Sequence, residues 1–203
     1  MKILHITISP RAAESLSYRL SQRVIERLLA RHPEAQVIAR DLAAEPLPHV
    51  DGQYASALGR SDGGAPQARG LSSLAWSDLL IEELKLADCI VIGTPMHNFT
   101  VPSVLKAWID HVVRIGITFN ATPEGKIGTL ADRPVYIAVS SGGYRTGERA
   151  RQPDFLEPYL RAILGTIGLK DLRFISMQPT AAGPEAITAA YAAVEQELEL
   201  CFA

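Results

Sequence analysis

The chain has 203 residues, 47% of them hydrophobic and 21% charged, with a formal net charge of −2. At about 150 residues per domain this reads as a single domain over 1–203, long enough to bury roughly 70% of its extended surface without disulfides or metals. The composition excludes wholesale disorder, and the scattered Lys and Arg argue against nucleic acid and polybasic membrane attachment. Cys89 and Cys201 stand far apart with no His at ligand spacing, which argues against zinc. No run of 18 apolar residues suggests a membrane span, and Met1 to Ile8 lacks a cleavage site. The expectation is a cytoplasmic protein.

Residues 2–8 are rich in Ile and Leu and stop at Ser9-Pro10, as a first strand would. Leu16, Leu20, Val24 and Leu28 recur every four residues across Ser15 to His32, which gives one apolar helix face. Ala35 to Arg40 is a second strand, and this strand-helix-strand unit implies a parallel pair with a right-handed crossover. From Leu42 to Gly70 periodicity is lost among Pro46, Pro48, Gly52, Gly59, Gly63, Gly64, Pro66 and Gly70. The expectation there is a long excursion with a short helix near Gln53 to Leu58, of the kind that covers a site, meets a partner or moves. Ser72 to Leu86 reads as a helix, Asp88 to Gly93 as a strand buried on both faces, and Pro102 to about Arg114 as a helix opened by a first-turn proline. Gly116 to Asn120 is a short extended piece and Thr122 to Leu130 a hairpin or loop. Pro134 to Val139 is a strand, Phe155 to Gly168 a helix, Asp171 to Met177 a fifth strand and Pro184 to about Leu200 a closing helix. Five strands alternating with helices make a three-layer α/β domain around a parallel sheet.

Ligands of such sheets bind outside the carboxyl ends of the strands, where strand order reverses. Three loops leave those ends with unusual chemistry. Ser9, Ser15 and Ser17 offer hydroxyls beside unpaired N–H groups at a positive helix end, a setting for phosphate, although Ser15 reads equally as a plain helix cap. There is no G-x-G-x-x-G after the first strand and no G-x-x-x-x-G-K-[ST] loop, which favours a mononucleotide such as FMN over a dinucleotide. The block Gly93 to Pro102 sets Pro95, Met96, His97, Asn98 and Phe99 between two prolines. It either lines a planar heteroaromatic ring or is a rigid turn with Phe99 in the core. Ser140-Ser141-Gly142-Gly143-Tyr144 brings backbone N–H groups and glycine freedom to the same end, or is a simple strand-to-loop turn.

With these residues the chain resembles the FMN-dependent NADH:quinone oxidoreductase and azoreductase family. The resemblance runs through Ser9 with Ser15-Leu16-Ser17, the block Gly93 to Pro102, Leu105 to Asp110, Gly116 to Phe119, Ser140 to Gly143, Pro158-Tyr159-Leu160 and Gly165 to Gly168. It is most specific in the Gly93 to Pro102 block and weakest between Leu42 and Ser77. The resemblance implies a flavodoxin-like three-layer sandwich, a five-stranded parallel sheet of order 2-1-3-4-5 with helices on both faces, and one FMN per subunit. It gives the phosphate to Ser9, Ser15, Leu16 and Ser17, the ring to Pro95, Met96, His97, Asn98 and Phe99, and the pyrimidine edge to Ser140, Gly142 and Gly143. It also implies a homodimer whose active sites are completed by the partner subunit. The family usually carries Tyr where this chain has His97.

On that reading two electrons pass as a hydride from NADH or NADPH to flavin N5, and a quinone or azo compound then takes them in the same pocket, which predicts ping-pong kinetics. No catalytic side chain is required, and His97 is a candidate for proton delivery. Backbone donors at Asn98 and Gly142-Gly143 would stabilise negative charge on the reduced ring. Phe119 and Tyr144 are candidate walls for flat substrates, and Arg11, Arg145 and Arg149 are candidates to meet a 2′-phosphate. The alternative is a flavodoxin-like single-electron carrier serving a protein partner, which the mild charge disfavours. A receiver domain would want acidic residues where Ser9 and Thr94 stand, and a lipase-like hydrolase a G-x-S-x-G that Ser140 and Ser141 do not supply.

Overall fold

Apolar runs without strict alternation become interior strands, because a parallel strand covered on both faces needs apolar side chains at every position. In the computed structural model, which describes residues 1–59 and 72–202, β1 (Lys2–Thr7) buries five of its six residues. A 3-10 turn at Ala12–Glu14 leads into α1 (Leu16–Arg31), followed by β2 (Gln36–Asp41), α2 (Gly52–Gly59) and α3 (Ser73–Leu86). Next come β3 (Cys89–Pro95), α4 (Ser103–Val112), β4 (Phe119–Thr122) and β5 (Gly125–Gly128). The chain closes with β6 (Val135–Ser140), α5 (Leu156–Thr166), β7 (Leu172–Met177) and α6 (Pro184–Cys201).

The main sheet is parallel with order β2-β1-β3-β6-β7, the expected 2-1-3-4-5 with a hairpin inserted after α4. Side chains alternate between its faces. Ile3, Val91, Tyr136 and Ala138 meet Leu20, Val24 and Leu28 of α1 and Val194 and Leu198 of α6. Leu4, Ile6, Ile90, Ile92 and Ile137 meet Leu80 and Leu84 of α3, Leu105 and Trp108 of α4, and Leu160 and Leu164 of α5. The direction reverses between β1 and β3, so the carboxyl ends of β1, β3 and β6 open onto the switch point.

β2 is an edge strand with no buried residue. Its Arg40 is nonetheless covered, paired with Glu83 of α3 and with Glu45, and its guanidinium lies 5.9 Å from the centre of the Trp76 ring.

The short helix expected near Gln53 to Leu58 is α2. Gly63, Gly64, Pro66 and Gly70 of the expected excursion lie outside the described residues. Its described part seats on α3 and α4: Leu42 and Leu47 join that core, His111 Nε2 lies 2.9 Å from the Pro48 carbonyl, and Tyr54 donates to the Asp110 carbonyl. The piece expected from Thr122 to Leu130 is half of an antiparallel hairpin that pairs Phe119 with Gly128. Gly128 must be glycine, since a Cβ there would fall 2.2 Å from the Gly168 nitrogen.

Trp108 is 1% exposed at the centre of the α3–α4–α5 layer. Trp108→Ala should cost about 3–5 kcal/mol, read from the denaturant midpoint.

Candidate active site

Ser9 follows β1 at its carboxyl end, and the 3-10 turn returns the chain so that Ser15 takes the N-cap position of α1. Its side chain makes no capping bond. The Ser15 and Ser17 hydroxyls instead bond each other at 2.9 Å, so the first-turn amides of α1 meet no side-chain acceptor among the described residues. The plain-cap reading of Ser15 therefore fails.

What brings this helix end to the sheet is Gly93. A Cβ there would lie 2.6 Å from Ser21 Oγ and 3.0 Å from the Ser17 carbonyl oxygen, so α1 approaches β3 more closely than any side chain allows. Ser21 donates to the Tyr18 carbonyl, and His5 Nε2 lies 2.8 Å from the same hydroxyl. With that proton spent on Tyr18, His5 must donate through Nε2. His5 is 3% exposed, and burial holds its pKa down at about 4 against the opposing pull of the Asp41 carboxylate.

The second loop is a tight hairpin. His97 and Thr100 exchange both backbone hydrogen bonds, at 3.0 and 2.9 Å, around Asn98 at φ 47° and Phe99 at φ 68°. Two left-handed central residues define a type I′ turn, usually Asn-Gly, and placing phenylalanine there costs about 1–2 kcal/mol. Phe99 is 44% exposed, which removes the reading that tucks it into the core. The Asn98 N–H donates to no group among the described residues.

The third loop meets the second through strand register. Pro95 pairs with Ser140, and the Met96 N–H donates to the Ser140 carbonyl at 2.8 Å. The N–H groups of Gly142 and Gly143 are likewise without a partner among the described residues. Neither glycine takes a positive φ, so the expected unusual dihedrals are at Asn98 and Phe99 instead.

Ser9, Arg11, Ser15, Leu16, Pro95, His97 and Ser140 line one cleft of about 290 Å³, together with Pro10, Glu14 and Thr180. A family described by its flavodoxin-like fold matches residues 1–200. The chain belongs to this flavodoxin-like family. It is 47% identical over 187 residues, 92% of this chain and 88% of the relative, to FMN-dependent NADH:quinone oxidoreductase 4 of Pseudomonas fluorescens. A second relative, FMN-dependent NADH:quinone oxidoreductase 5 of Burkholderia lata, is 46% identical over 92% of this chain and 89% of its own length. Among solved structures, an azoreductase from Bacillus anthracis superposes with a TM-score of 0.86 at 25% identity, covering 98% of each chain. An FMN-dependent NADH-azoreductase from the same organism, in complex with FMN, superposes with a TM-score of 0.79 at 25% identity, covering 98% of this chain and 99% of that one.

Not every expected residue reaches the cleft of this flavodoxin-like chain. The Phe119 side chain is buried in β4 with Lys126 Nζ 5.1 Å from its ring centre. Tyr144 lines a neighbouring cavity of about 500 Å³, with the Arg149 guanidinium 4.4 Å from its ring centre. Arg145 is not available to a 2′-phosphate. Its side chain is fully buried and paired with Asp154, Glu157 and the Ser176 hydroxyl, because a guanidinium inside the fold needs carboxylates around it. Of the three arginines, only Arg11 lines the cleft. Thr180 was missed in sequence. Its one signal is position, three residues beyond the end of β7.

Two outcomes follow from the α1–β3 contact. Gly93→Ala should push the first turn of α1 outward and cost about 1–3 kcal/mol by equilibrium unfolding. Between the ordinary histidine value of 6.5 and about 4, the unfolded chain takes up a proton that folded His5 refuses. Stability should therefore fall as pH drops through that window, by on the order of 3 kcal/mol, and change no further from this source below it. Denaturant midpoints of wild type and His5→Gln from pH 7 to 4 test this, the variant showing the shallower decline.

Proposed function

We propose that this chain is an FMN-dependent oxidoreductase that takes two electrons as hydride from NADH or NADPH and delivers them to quinones or azo compounds. The observation that carries this reading is the convergence of Ser9, Ser15, Pro95, His97 and Ser140 on one cleft at the switch point, in a chain with relatives that bear the names above.

The residues present fit FMN. A hydroxyl pair that declines to cap its own helix, free first-turn amides and Arg11 suit a terminal phosphate. The unpartnered N–H groups of Asn98, Gly142 and Gly143 suit the polar edge of a flat ring lying along Pro95 to Phe99. FMN, when bound, supplies the two-electron chemistry. Ser9 and Ser15 then hold the phosphate with Leu16 in the same turn, buried Ser17 acting through the Ser15 hydroxyl it bonds, and the amides of Asn98 and Gly142-Gly143 favour negative charge where they point. His97, exposed on the cleft wall, is the side chain in reach to pass a proton to a reduced product. One pocket serving donor and acceptor in turn gives ping-pong kinetics.

We read 1–203 as one FMN-binding domain acting as a homodimer, with each site completed by the partner subunit. Exposed Phe99, Ile115, Ile117 and Phe155 supply apolar surface for that contact. No described helix is long and apolar enough to cross a membrane, and two unpaired cysteines fit the reducing cytoplasm.

The test is an anaerobic visible spectrum of the protein with FMN, followed by NADH and then a benzoquinone. Bleaching by NADH and recovery with quinone are expected, with parallel double-reciprocal plots. FMN bound but not bleached returns the single-electron carrier. No FMN uptake overturns the site.

A further inference from the structure

The second and third loops are joined by a residue that belongs to neither. Gln152 lies in the stretch between β6 and α5, half-buried. Its Nε2 donates to Ser141 Oγ at 2.9 Å and to Met96 Sδ at 3.3 Å, so both amide hydrogens are used, one on each loop. Ser141 Oγ passes the connection on by donating to the Gly143 carbonyl at 2.6 Å. The other end of the amide lies against Gly143: a Cβ there would fall 2.7 Å from Oε1 and 3.3 Å from Cδ.

Gly143 has no positive φ, so its backbone does not demand glycine. What a side chain there would displace is the Gln152 amide. The far end of the same loop is already fixed, since the Arg145 N–H donates to Gln178 Oε1 and its guanidinium is buried among Asp154, Glu157 and Ser176. Ser141 and Gly142 are tied to the end of β7 and the residues after it, the Ser141 N–H donating to the Met177 carbonyl and their own carbonyls accepting from Thr180 and Ala181, so what is left to be set is Gly143 and the side of this loop that faces Met96. Gln152 is the side chain that holds it against Met96.

We propose that Gln152 is a positioning residue that fixes the spacing between the Met96–Phe99 turn and the Ser141–Gly143 loop, and that Gly143 is glycine to admit its amide. The inference rests on reading these loops as the ring-binding part of the site, and goes beyond it by naming what keeps them in register.

Gln152→Ala, Gln152→Met, Gly143→Ala and the double variant Gln152→Ala/Gly143→Ala are compared as apo-proteins by FMN titration and by amide hydrogen exchange at residues 96–100 and 141–144. Each single variant should weaken FMN roughly tenfold, the scale of one or two lost hydrogen bonds, and speed exchange in both loops. Gly143→Ala displaces the amide that Gln152→Ala removes, so the double variant should be no worse than either single one. Independent losses that multiply to about a hundredfold would overturn the proposal, because Gly143 would then act on its own. Gln152→Met keeps the side-chain volume without the amide hydrogens, so wild-type affinity and exchange in that variant also overturn it. If wild-type protein takes up no FMN, the functional reading fails. The present inference is then decided by exchange alone, supported by faster exchange in both loops of Gln152→Ala and overturned by unchanged rates.

Discussion

Everything at the carboxyl edge of the sheet depends on how closely α1 lies against β3. Gly93 leaves no side chain between them, and Ser21 fills the gap that remains. The Ser21 hydroxyl is fully used, donating to Tyr18 and meeting His5 from β1. The first turn of α1 is thereby tied to two neighbouring strands at once. A neutral imidazole suits that role, since burial there penalises a charge more than the Asp41 carboxylate favours it. The hydroxyl pair of Ser15 and Ser17 stands on this base, with Ser17 itself fully buried. The loop between β1 and α1 thus gains its rigidity from the core beneath it.

The other two loops gain theirs from strand register. Parallel pairing puts Pro95 beside Ser140 and Ser140 beside Met177, so three chain segments leave the sheet at the same height. The turn at Asn98 and Phe99 holds two L-residues in a left-handed conformation, and its strain is offset by paired backbone bonds and by the Phe155 N–H on the Phe99 carbonyl at 2.9 Å. Backbone strain held by its surroundings is common where a ligand is to be met by main-chain groups.

The fold was legible because both-face burial writes itself as unbroken apolar runs such as Cys89 to Ile92, and helix faces as repeats of four such as Leu16 to Leu28. The convergence of Ser9, Ser15, Pro95, His97 and Ser140 was legible for the same reason, once the strands that end beside them were placed. The turn type at residues 97–100 was not, because Phe stands where glycine normally signals left-handed backbone. Nor were Thr180 and Gln152, which lie in loops without periodicity and depend on side-chain geometry across the sheet. Arg145 shows the limit in reverse. A basic residue beside a glycine-rich loop suggests a ligand contact, and only its three-dimensional setting reveals a cation spent on internal carboxylates.

The sheet ends in β2 on one border and β7 on the other, and β2 is the more exposed of the two. A strand with an unpaired row of N–H and C=O groups is a template for another chain. Here the outermost strand sets Val37, Ile38 and Ala39 between polar Gln36 and charged Arg40 and Asp41, and Arg40 is clamped over Trp76 by Glu83 and Glu45. Docking a foreign strand on this border would mean stripping water from those polar and charged groups.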